Sequence, residues 1–468
     1  MNNFSATYTD KYQLTMAEVY FLEQRHEHTA VFDYFFRKPP FKGSYALFAG
    51  LENVLEILEN LRFTDSDIDF LHKDGLNSTF LDYLKNFTFK GKIYSMKEGE
   101  IVFPTEPVLR VEANIAEAQI IETLLLNILN FQTLIATKAS RMRYVAGERR
   151  LIDFGLRRAQ AEGAYFGARA AYIGGFDATS NVVAGKDFDI PVSGTMAHSF
   201  IQSYDDELTA FRRFAENRPD DCVLLVDTYD TLKSGLPNAI KTGKEMEARG
   251  HKLKGIRLDS GDLAYLSREA RKMLDDEGLD YVKIAASNQL DEHLIKSLNE
   301  QGAQIDVFGV GTNLMTGQPD AALDGVFKLA SYDNEARIKL SDSTAKITLP
   351  DRKKVMRLMQ NDNMFFGADV IMLEDEENTN TMHHPFEALK KMDIQSCKKE
   401  KLHVKVMENG KRSKPKKSAS EIREYAQARL RQLPEEHKRF EYPHIYKVGL
   451  SDALNEERNR LIDLHKTK

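Results

Sequence analysis

Four short apolar runs, each ending in polar residues, decide the fold of this chain: Val223-Leu-Leu-Val-Asp-Thr-Tyr-Asp230, Gly255-Ile-Arg-Leu-Asp-Ser-Gly261, Val282-Lys-Ile-Ala-Ala-Ser-Asn288 and Val307-Phe-Gly-Val-Gly-Thr-Asn313. Between them lie segments in which apolar residues recur at helical spacing, for example 263–274. Short apolar strands that alternate with amphipathic helices are typical of βα units and a parallel sheet. The sequence therefore predicts an α/β fold with a buried parallel sheet at its centre.

The polar residues that follow these strands are expected to meet at one place, because α/β sheets and barrels carry their chemistry at the carboxyl ends of the strands. That edge would hold Asp227, Arg257 and Asp259, together with a Ser-Asn pair at 287–288 and a Gly-x-Gly-Thr turn at 309–312. Glycines let the backbone approach a phosphate, and amides at a helix start favour anions. The residues alone thus indicate an α/β barrel enzyme that acts on a phosphorylated sugar with a bound cation.

Composition excludes several other classes of protein. The chain has 468 residues and a formal net charge of −6, whereas binding to nucleic acid rewards an excess of Lys and Arg. Its two cysteines, Cys222 and Cys397, provide neither a disulfide framework nor a zinc ligand set. We see no signal peptide, and no apolar run approaches the ~20 residues of a membrane span. A cytoplasmic protein without a membrane or nucleic-acid partner is expected.

Outside the central region the pattern is less regular. A long apolar helix is predicted over 116–137, and a second helix is predicted to continue to about Gly147. Alternating residues predict strands at 337–340 and 345–349.

Several motifs occur in order along the chain. They are Thr9-Asp-Lys-Tyr-Gln-Leu-Thr-Met16, Asp153-Phe-Gly-Leu-Arg-Arg158, Gly174-Gly-Phe-Asp-Ala-Thr-Ser-Asn-Val-Val-Ala-Gly185, Gly194-Thr-Met-Ala-His-Ser199, Asp227-Thr-Tyr-Asp230, Arg257-Leu-Asp-Ser-Gly261 and Phe308-Gly-Val-Gly-Thr-Asn313. Each motif alone is weak evidence, but their order is specific. In this respect the sequence closely resembles nicotinate phosphoribosyltransferase, and the likeness covers most of the chain.

The resemblance implies an enzyme of NAD salvage that joins nicotinate to 5-phosphoribosyl 1-pyrophosphate (PRPP), giving nicotinate mononucleotide and pyrophosphate. It also implies coupling to ATP hydrolysis through a phosphorylated histidine, with Mg²⁺ bound to the substrate. The implied fold is an irregular (β/α) barrel with a second α+β domain built from N- and C-terminal segments. On this basis we expect an N-terminal α+β domain at 1–147, a catalytic barrel at 148–332, and strands and helices at 333–468 that partly complete the N-terminal domain. A homodimer with shared active sites is implied as well.

The resemblance and the strand-end positions together suggest roles for individual residues. The catalytic residues would be His198, as the phosphorylated histidine, Asp227 and Asp259. The nicotinate-binding residues would be Tyr12, Phe154, Arg157, Asn181, Thr195 and Arg257, with Tyr12 contributed by the neighbouring subunit. The PRPP-binding residues would be Arg157, Ser287, Asn288, Gly309, Gly311 and Thr312.

Simpler structural alternatives stay open for several of these residues. Arg257 fits a fork that grips a carboxylate or phosphate, but it also fits an ion pair with Asp259 or Asp227. On sequence alone Tyr12 is a helix-face residue, and a lone histidine such as His198 is more often structural. Asp227 and Asp259 suit either the ribose hydroxyls or the water around Mg²⁺, which takes one or two carboxylates plus phosphates, so no dedicated metal cage is expected.

Asn181 bears on the choice of substrate. Nicotinamide-using relatives carry an acid at the aligned place, which would accept from an amide NH₂ and repel the carboxylate of nicotinate. The neutral Asn181 therefore favours nicotinate over nicotinamide as the substrate. The alternatives are a nicotinamide- or quinolinate-specific transferase, a non-catalytic sensor, and a sugar-phosphate aldolase, which would need a strand-end lysine that Lys283 does not supply.

Overall fold

The computed structural model describes residues 4–342, 346–387 and 389–466, and the chain divides into two compact units. Unit 1 comprises Met1–Thr137, Ala322–Lys417 and Glu424–Lys468, and unit 2 comprises Lys138–Ala321 and Ser418–Arg423. Unit 2 is therefore almost one continuous stretch, whereas unit 1 is assembled from three pieces of chain.

The helices and strands occupy most of the described chain. In chain order the α-helices are α1 (Lys11–Leu22), α2 (Leu51–Asn60), α3 (Asp65–Lys73), α4 (Ser78–Lys85), α5 (Ile115–Ile120), α6 (Glu122–Ala146), α7 (Ala161–Ile173), α8 (Val182–Phe188), α9 (His198–Gln202), α10 (Glu207–Asn217), α11 (Leu236–Glu247), α12 (Leu263–Asp276), α13 (Glu292–Glu300), α14 (Thr312–Met315), α15 (Ala419–Gln432) and α16 (Asp452–Lys466). The strands are β1 (Thr29–Phe36), β2 (Ala46–Leu47), β3 (Lys92–Ser95), β4 (Ile101–Val102), β5 (Leu109–Asn114), β6 (Arg150–Asp153), β7 (Ala178–Thr179), β8 (Val223–Leu225), β9 (Gly255–Leu258), β10 (Lys283–Ser287), β11 (Val307–Val310), β12 (Gly325–Tyr332), β13 (Glu335–Ala336), β14 (Lys353–Met359), β15 (Phe365–Leu373), β16 (Thr381–His383), β17 (Lys391–Asp393), β18 (Lys398–Lys401), β19 (Val404–Glu408), β20 (Lys411–Arg412) and β21 (Lys447–Leu450).

Unit 2 contains the predicted parallel sheet. Its six strands lie in the order β7-β6-β11-β10-β9-β8, and every neighbouring pair is parallel. They form the irregular α/β barrel that the sequence predicts, with β7 and β8 at the two ends of the strand order. The carboxyl ends of all six strands consequently face the same edge, where the loops that follow them meet.

Local sequence explains how the helices of unit 2 begin at that edge. Asp262 accepts a hydrogen bond from Tyr265 N at 3.0 Å and caps α12, and Asp291 accepts from Leu294 N at 2.7 Å and caps α13. Such caps satisfy amides that have no partner within the helix. The apolar faces of α12 and α13 then pack inward, while the strands themselves are almost fully buried.

Two of the predicted elements differ in the structure. The helix expected to break near residue 137 runs without interruption through α6, and the break falls earlier, at Ile121 between α5 and α6. The segment 337–340 is not a strand, because single bonds such as Lys339 N to Thr348 Oγ1 at 2.8 Å hold it instead of a ladder. The facing prediction at 345–349 is also wrong over 346–349, and residue 345 lies outside the described residues.

Unit 1 is an α+β unit with its own core. A seven-stranded antiparallel sheet has the order β13-β12-β1-β5-β3-β19-β20, and a six-stranded mixed sheet has the order β17-β16-β21-β15-β14-β18. Both sheets combine early and late parts of the chain, since β1 pairs with β5 on one side and with β12 on the other. This agrees with the predicted second α+β domain built from N- and C-terminal segments.

A network of charged side chains lies inside unit 1 around the fully buried Arg357. Its guanidinium donates to Asp369 Oδ2 at 2.8 Å and to the Ile101 carbonyl at 2.7 Å, and Tyr446 donates to Asp369 Oδ1 at 2.7 Å. Burial, and then the charge of Asp369, raise the pKa of Glu106 well above its usual range. Glu106 therefore keeps its proton in the folded unit under conditions where an exposed glutamate is ionised.

The structure also bears on membrane association. Within the described ranges, no helix combines the length and the apolar character needed to cross a bilayer.

Candidate active site

Arg257 lies at the centre of the predicted strand-end cluster in unit 2. Its Nε donates to Ser287 Oγ at 3.0 Å, and its Nη1 donates to Thr195 Oγ1 at 2.9 Å and to the Met196 carbonyl at 3.2 Å. Its Nη2 lies 3.3 Å from Asp259 Oδ1, which makes Asp259 the partner in the ion pair that the sequence left open. The side chain is held from three sides and is only 13% exposed, so the guanidinium has one defined position.

Asp259 and Asp227 face each other across neighbouring strand ends. Asp227 Oδ2 accepts from Asp259 N at 2.8 Å and from Ser260 Oγ at 2.7 Å, whereas its Oδ1 is buried and has no hydrogen-bond partner among the described residues. The Ser287 hydroxyl donates to Asp259 Oδ1. One carboxylate oxygen of Asp227 thus lacks a hydrogen bond among the described residues, and buried acceptors of this kind are uncommon in folded proteins.

His198 lies beside these carboxylates, at the first position of α9. Its Nδ1 is 3.1 Å from Thr228 Oγ1, and its Nε2 is 3.9 Å from Asp259 Oδ2. The imidazole is 40% exposed, so a phosphoryl group can approach it. Thr228 is a site residue that the sequence did not single out, although it stands inside the quoted Asp227–Asp230 motif.

A pocket of about 280 Å³ opens next to Arg257. It is lined by Phe154, Leu156, Arg157, Ser180, Gly194, Thr195, Met196 and Arg257. Four of the predicted nicotinate-binding residues, namely Phe154, Arg157, Thr195 and Arg257, therefore line one cavity. The guanidinium of Arg257 lies 5.6 Å from the centroid of the Phe154 ring, so the pocket combines an aromatic wall with two cations.

Asn181 does not line this pocket. Its side chain is buried, accepts from Ala184 N at 3.2 Å as the cap of α8, and donates to the Ala164 carbonyl at 3.3 Å. The preceding residue, Ser180, lines the pocket instead. The role of Asn181 in nicotinate binding stays a prediction.

The residues predicted to bind PRPP take different local positions. A Cβ on Gly309 would lie 2.3 Å from the Phe154 ring, and one on Gly311 would lie 3.3 Å from the Phe154 carbonyl, so these glycines make room for Phe154. Ser287 is buried between Arg257 and Asp259, whereas Asn288 is exposed with a left-handed φ of 93°. Thr312 opens the four-residue α14 directly after Gly311.

Asp153 ends β6 directly before Phe154 and is only 1% exposed. Burial raises the pKa of this carboxyl to about 6, while hydrogen bonds from the Thr179 hydroxyl and Gly155 N oppose the shift. The sequence contained Asp153 within a quoted motif but gave it no role.

Tyr12 lies in unit 1, on α1, and its side chain is 53% exposed. It is thus a helix-face residue within its own chain, as the sequence alone suggested, and it presents an aromatic ring to solvent.

A second pocket, of about 270 Å³, lies within unit 1. Five cationic residues line it, namely Arg37, Lys38, Lys328, Lys346 and Lys353. Lys353 is paired with Asp33 at 2.8 Å, whereas the buried Nε of Arg37 has no hydrogen-bond partner among the described residues. Burial lowers the pKa of Lys328. The sequence gave no signal for this pocket, because its residues come from distant parts of the chain.

No group of three or more His, Cys, Asp or Glu side chains placed to hold a metal ion occurs in the part of the chain that the structure describes. Asp227 Oδ1 nevertheless fits a cation bound mainly by phosphates, because Mg²⁺ commonly takes one or two carboxylates plus substrate oxygens.

Comparisons with known proteins agree along the whole chain. The profile of the nicotinate phosphoribosyltransferase (NAPRTase) family matches residues 149–390, and the profiles of the NAPRTase N-terminal and nicotinate phosphoribosyltransferase C-terminal domains match 7–130 and 352–458. A nicotinate phosphoribosyltransferase of Bacillus subtilis is 48% identical over 98% of this chain and 95% of its own length. One from Dictyostelium discoideum is 39% identical over 95% of this chain and 86% of its own length.

A solved structure gives the same answer. The human nicotinic acid phosphoribosyltransferase superposes with a TM-score of 0.87 at 31% identity, covering 97% of this chain and 99% of the human chain. Together with the strand-end cluster and the pocket beside Arg257, these matches establish the family. The chain belongs to the nicotinate phosphoribosyltransferase family.

Proposed function

We propose that this protein forms nicotinate mononucleotide and pyrophosphate from nicotinate and PRPP, as a step of NAD salvage. The observation that carries the proposal is the pocket in which Phe154 and two arginines, Arg157 and Arg257, surround a space of about 280 Å³. That volume suits a single aromatic ring, and small-ligand pockets combine apolar walls with a few placed polar groups in this way. Family membership supports the same assignment.

The pocket favours nicotinate over its relatives through charge. Ser287 and Thr195 hold the guanidinium of Arg257 in position as a positive charge beside the pocket. Arg157 lines the same pocket, and a guanidinium fork can bind a carboxylate with two parallel hydrogen bonds. Nicotinamide carries no charge to match the two arginines of this pocket. Ser180, which is neutral, leaves the substrate carboxylate without a repelling neighbour at that position.

The ribose and phosphates of PRPP are assigned to the neighbouring groups. Asp259 and the free Oδ1 of Asp227 are acceptors for ribose hydroxyls or for water around a magnesium ion on the pyrophosphate. Magnesium, when bound there, would neutralise charge on the pyrophosphate. The turn from Gly311 to Thr312 and the exposed Asn288 are the phosphate contacts that the family resemblance implies, and they follow the last two strands.

The cationic pocket of unit 1 is the second place suited to phosphate. Arg37 offers a buried Nε donor without a partner among the described residues, and Lys38, Lys328 and Lys346 add positive charge around it. An unpaired buried donor is costly until a ligand accepts from it. We propose that this pocket binds phosphate groups, and PRPP and ATP are the ligands to test.

We also propose that ATP phosphorylates His198. A ring nitrogen would attack the γ-phosphorus, forming an N–P bond while the bond to the ADP oxygen breaks. The Thr228 hydroxyl fixes the ring through Nδ1, and Asp259 lies on the Nε2 side, so the imidazole is oriented before the nucleotide arrives. We expect the protein to be cytoplasmic, where PRPP and ATP would be available to it.

The exposed Tyr12 supports a homodimer with shared sites. In this arrangement Tyr12 of the partner subunit would stack on the face of the pyridine opposite Phe154. To test this, Tyr12→Ala and Arg257→Ala proteins are mixed under conditions where subunit exchange is demonstrated. A mixed dimer has one site without either lesion, so activity should partly return, and a failure to return would exclude shared sites.

One experiment tests the reaction itself. The pure protein is incubated with PRPP and Mg²⁺ and with nicotinate, nicotinamide or quinolinate in turn, with and without ATP, and the products are identified by mass spectrometry. Nicotinate mononucleotide should form in clear preference to the other products. Equal turnover of nicotinate and nicotinamide, or release of carbon dioxide from quinolinate, would refute the proposed substrate.

The phosphohistidine is tested separately. Wild type, His198→Ala and the control His251→Ala are incubated with γ-labelled ATP and examined for acid-labile phosphate. His251 is a suitable control because it lies 3.8 Å from Asp220 on the surface of the same unit. Label is expected on the wild type and the control alone. ATP hydrolysis by the wild type without labelled protein would contradict this role for His198.

A further inference from the structure

Asp153 joins the segments of chain that line the pocket, although its own side chain does not line it. One carboxylate oxygen, Oδ1, accepts from Gly155 N at 2.7 Å, and the other, Oδ2, accepts from Thr179 Oγ1 at 2.7 Å. The main-chain carbonyl of Asp153 accepts from Ser180 N at 2.8 Å. The end of β6 is thereby tied both to the turn that begins at Phe154 and to the end of β7, which leads to Ser180.

Thr179 extends these restraints to a third segment. Its carbonyl accepts from Ser193 N at 2.9 Å, and the residues directly after Ser193 are Gly194–Met196, which line the pocket. The Thr179 hydroxyl accepts from Asn181 N at 3.0 Å, so its own hydrogen is directed to Asp153. Both hydrogen-bond partners of the Asp153 carboxylate, namely Gly155 N and the Thr179 hydroxyl, are therefore donors. The ionised carboxylate, which only accepts, matches them.

Among the residues that the structure describes, no cation forms an ion pair with this buried carboxylate. The groups that face Asp153 are Thr179 on β7, Val310 on β11 and Met315, which packs on Gly155. Burial and the two hydrogen bonds alone shift its pKa, to about 6. Since an unpaired buried carboxylate opposes folding, stability gives no reason for an acid at this position.

The turn after Asp153 lies between this carboxylate and the side chain of Met315. A Cβ on Gly155 would lie 2.0 Å from Met315 Cγ and 3.0 Å from Asp153 Oδ1, so the backbone at Gly155 passes through a confined space. Directly after it come Leu156 and Arg157, which line the pocket. The orientation of Arg157 therefore depends on how firmly Gly155 N is held.

We propose that Asp153 is a positioning residue for nicotinate: its ionised carboxylate fixes the turn carrying Phe154 and Arg157 relative to Ser180 and, through Thr179, to the segment Gly194–Met196. This rests on the proposed function only in naming nicotinate as the ligand. The residue touches no substrate and acts through the walls of the pocket.

The test uses two substitutions and a conservative control. Asp153→Asn keeps the size of the side chain but removes one acceptor, and Thr179→Val removes the hydroxyl at nearly constant volume. Both should raise the KM for nicotinate by roughly tenfold or more, because small displacements of positioning groups have large effects, while the KM for PRPP stays within about twofold. Thr179→Ser keeps the hydroxyl and should behave like the wild type.

The KM for nicotinate is also measured as a function of pH, because a purely structural role of Asp153 would not change this dependence. As the pH falls through about 6, Asp153 takes up a proton and one of its two donors loses its acceptor, so the wild-type KM for nicotinate should rise. In Asp153→Asn the KM for nicotinate should be raised at neutral pH already and show no such rise. A wild-type KM in Asp153→Asn, or an equal rise in the KM for both substrates, would overturn the inference.

A ligand-free measurement separates this inference from the proposed function. Hydrogen–deuterium exchange should be faster over 154–158 and 193–196 in Thr179→Val than in Thr179→Ser, at equal protection of α12 and α13. If the wild type does not use nicotinate, the proposed function is wrong. The hydrogen–deuterium exchange rates would still show whether Asp153 and Thr179 hold the walls of the pocket. Unchanged exchange in Thr179→Val would show that they do not.

Discussion

Replacing Arg257 by lysine should damage catalysis far more than the conserved charge suggests. The guanidinium uses three nitrogens, toward Ser287, toward Thr195 and the Met196 carbonyl, and toward Asp259. A single ammonium group cannot reach all of these directions. The contacts that lysine would lose hold the guanidinium in position, and misplacing a positioning group by about 1 Å can cost roughly 100-fold in rate. We therefore expect kcat/KM for nicotinate to fall by roughly 100-fold.

The assay is initial-rate formation of nicotinate mononucleotide at saturating PRPP, with nicotinate varied. Arg212→Lys is the matched control, because Arg212 forms a comparable two-point contact with Glu245 on the surface, where it is 38% exposed. Exposed ion pairs contribute little, so the control should keep wild-type kinetics. A kcat/KM for Arg257→Lys within about threefold of wild type, with the fold intact by circular dichroism, would refute the claim that the fork geometry is what matters.

Three further outcomes follow from positions described above. Ser180→Asp should weaken nicotinate binding by on the order of 2 kcal/mol, the size of a like-charge interaction across a small pocket at an effective dielectric of about 20. Asn181→Asp, which keeps a helix cap, should change the KM for nicotinate much less, and equal effects would contradict the placement of Ser180 on the pocket. Arg37→Ala should raise the KM for PRPP or ATP while leaving that for nicotinate unchanged, and unaltered KM values for both would remove the phosphate role of the unit 1 pocket. The melting temperature of Glu106→Gln, relative to that of the wild type, should rise as the pH is raised from about 5 to 8. The raised pKa of Glu106 means that its protonated carboxyl stabilises the wild-type fold at low pH and that this contribution is lost as the pH rises. Melting temperatures of the two proteins that change in parallel across that range would show that Glu106 is ionised in the fold.

Much of unit 2 could be predicted from sequence because each strand and helix there is decided locally. Apolar runs such as 223–226 are too short and too apolar for anything but buried strands, and the helices between them carry clear caps. The order of the strands could not be predicted in this way, since β6 pairs with β11 although four strands of sequence order separate them. Segment 337–340 shows the opposite failure, because its residues alternate as in a strand but the described residues beside it do not complete a ladder.

The residues of the candidate site differ in the same way in how far the sequence could predict them. Asp227, shortly after the end of β8, and Arg257, within the last residues of β9, could be proposed because strand ends converge by topology. Ser180 and Asp153 were missed because lining a pocket, or holding its wall, depends on which way a side chain points. The family resemblance identified the motifs that contain these two residues, but it did not show where their side chains point.

The three-piece composition of unit 1 has a consequence for synthesis on the ribosome. Strand β1 emerges early, but its neighbour β12 lies beyond nearly all of unit 2 in the chain. The strands of unit 2 can therefore pair while the first part of unit 1 still exposes apolar surface, and unpaired strand edges in nascent chains promote aggregation. Newly made chains would depend on chaperones during this interval, and a chain truncated before β12 should be insoluble even though it contains almost all of the catalytic unit.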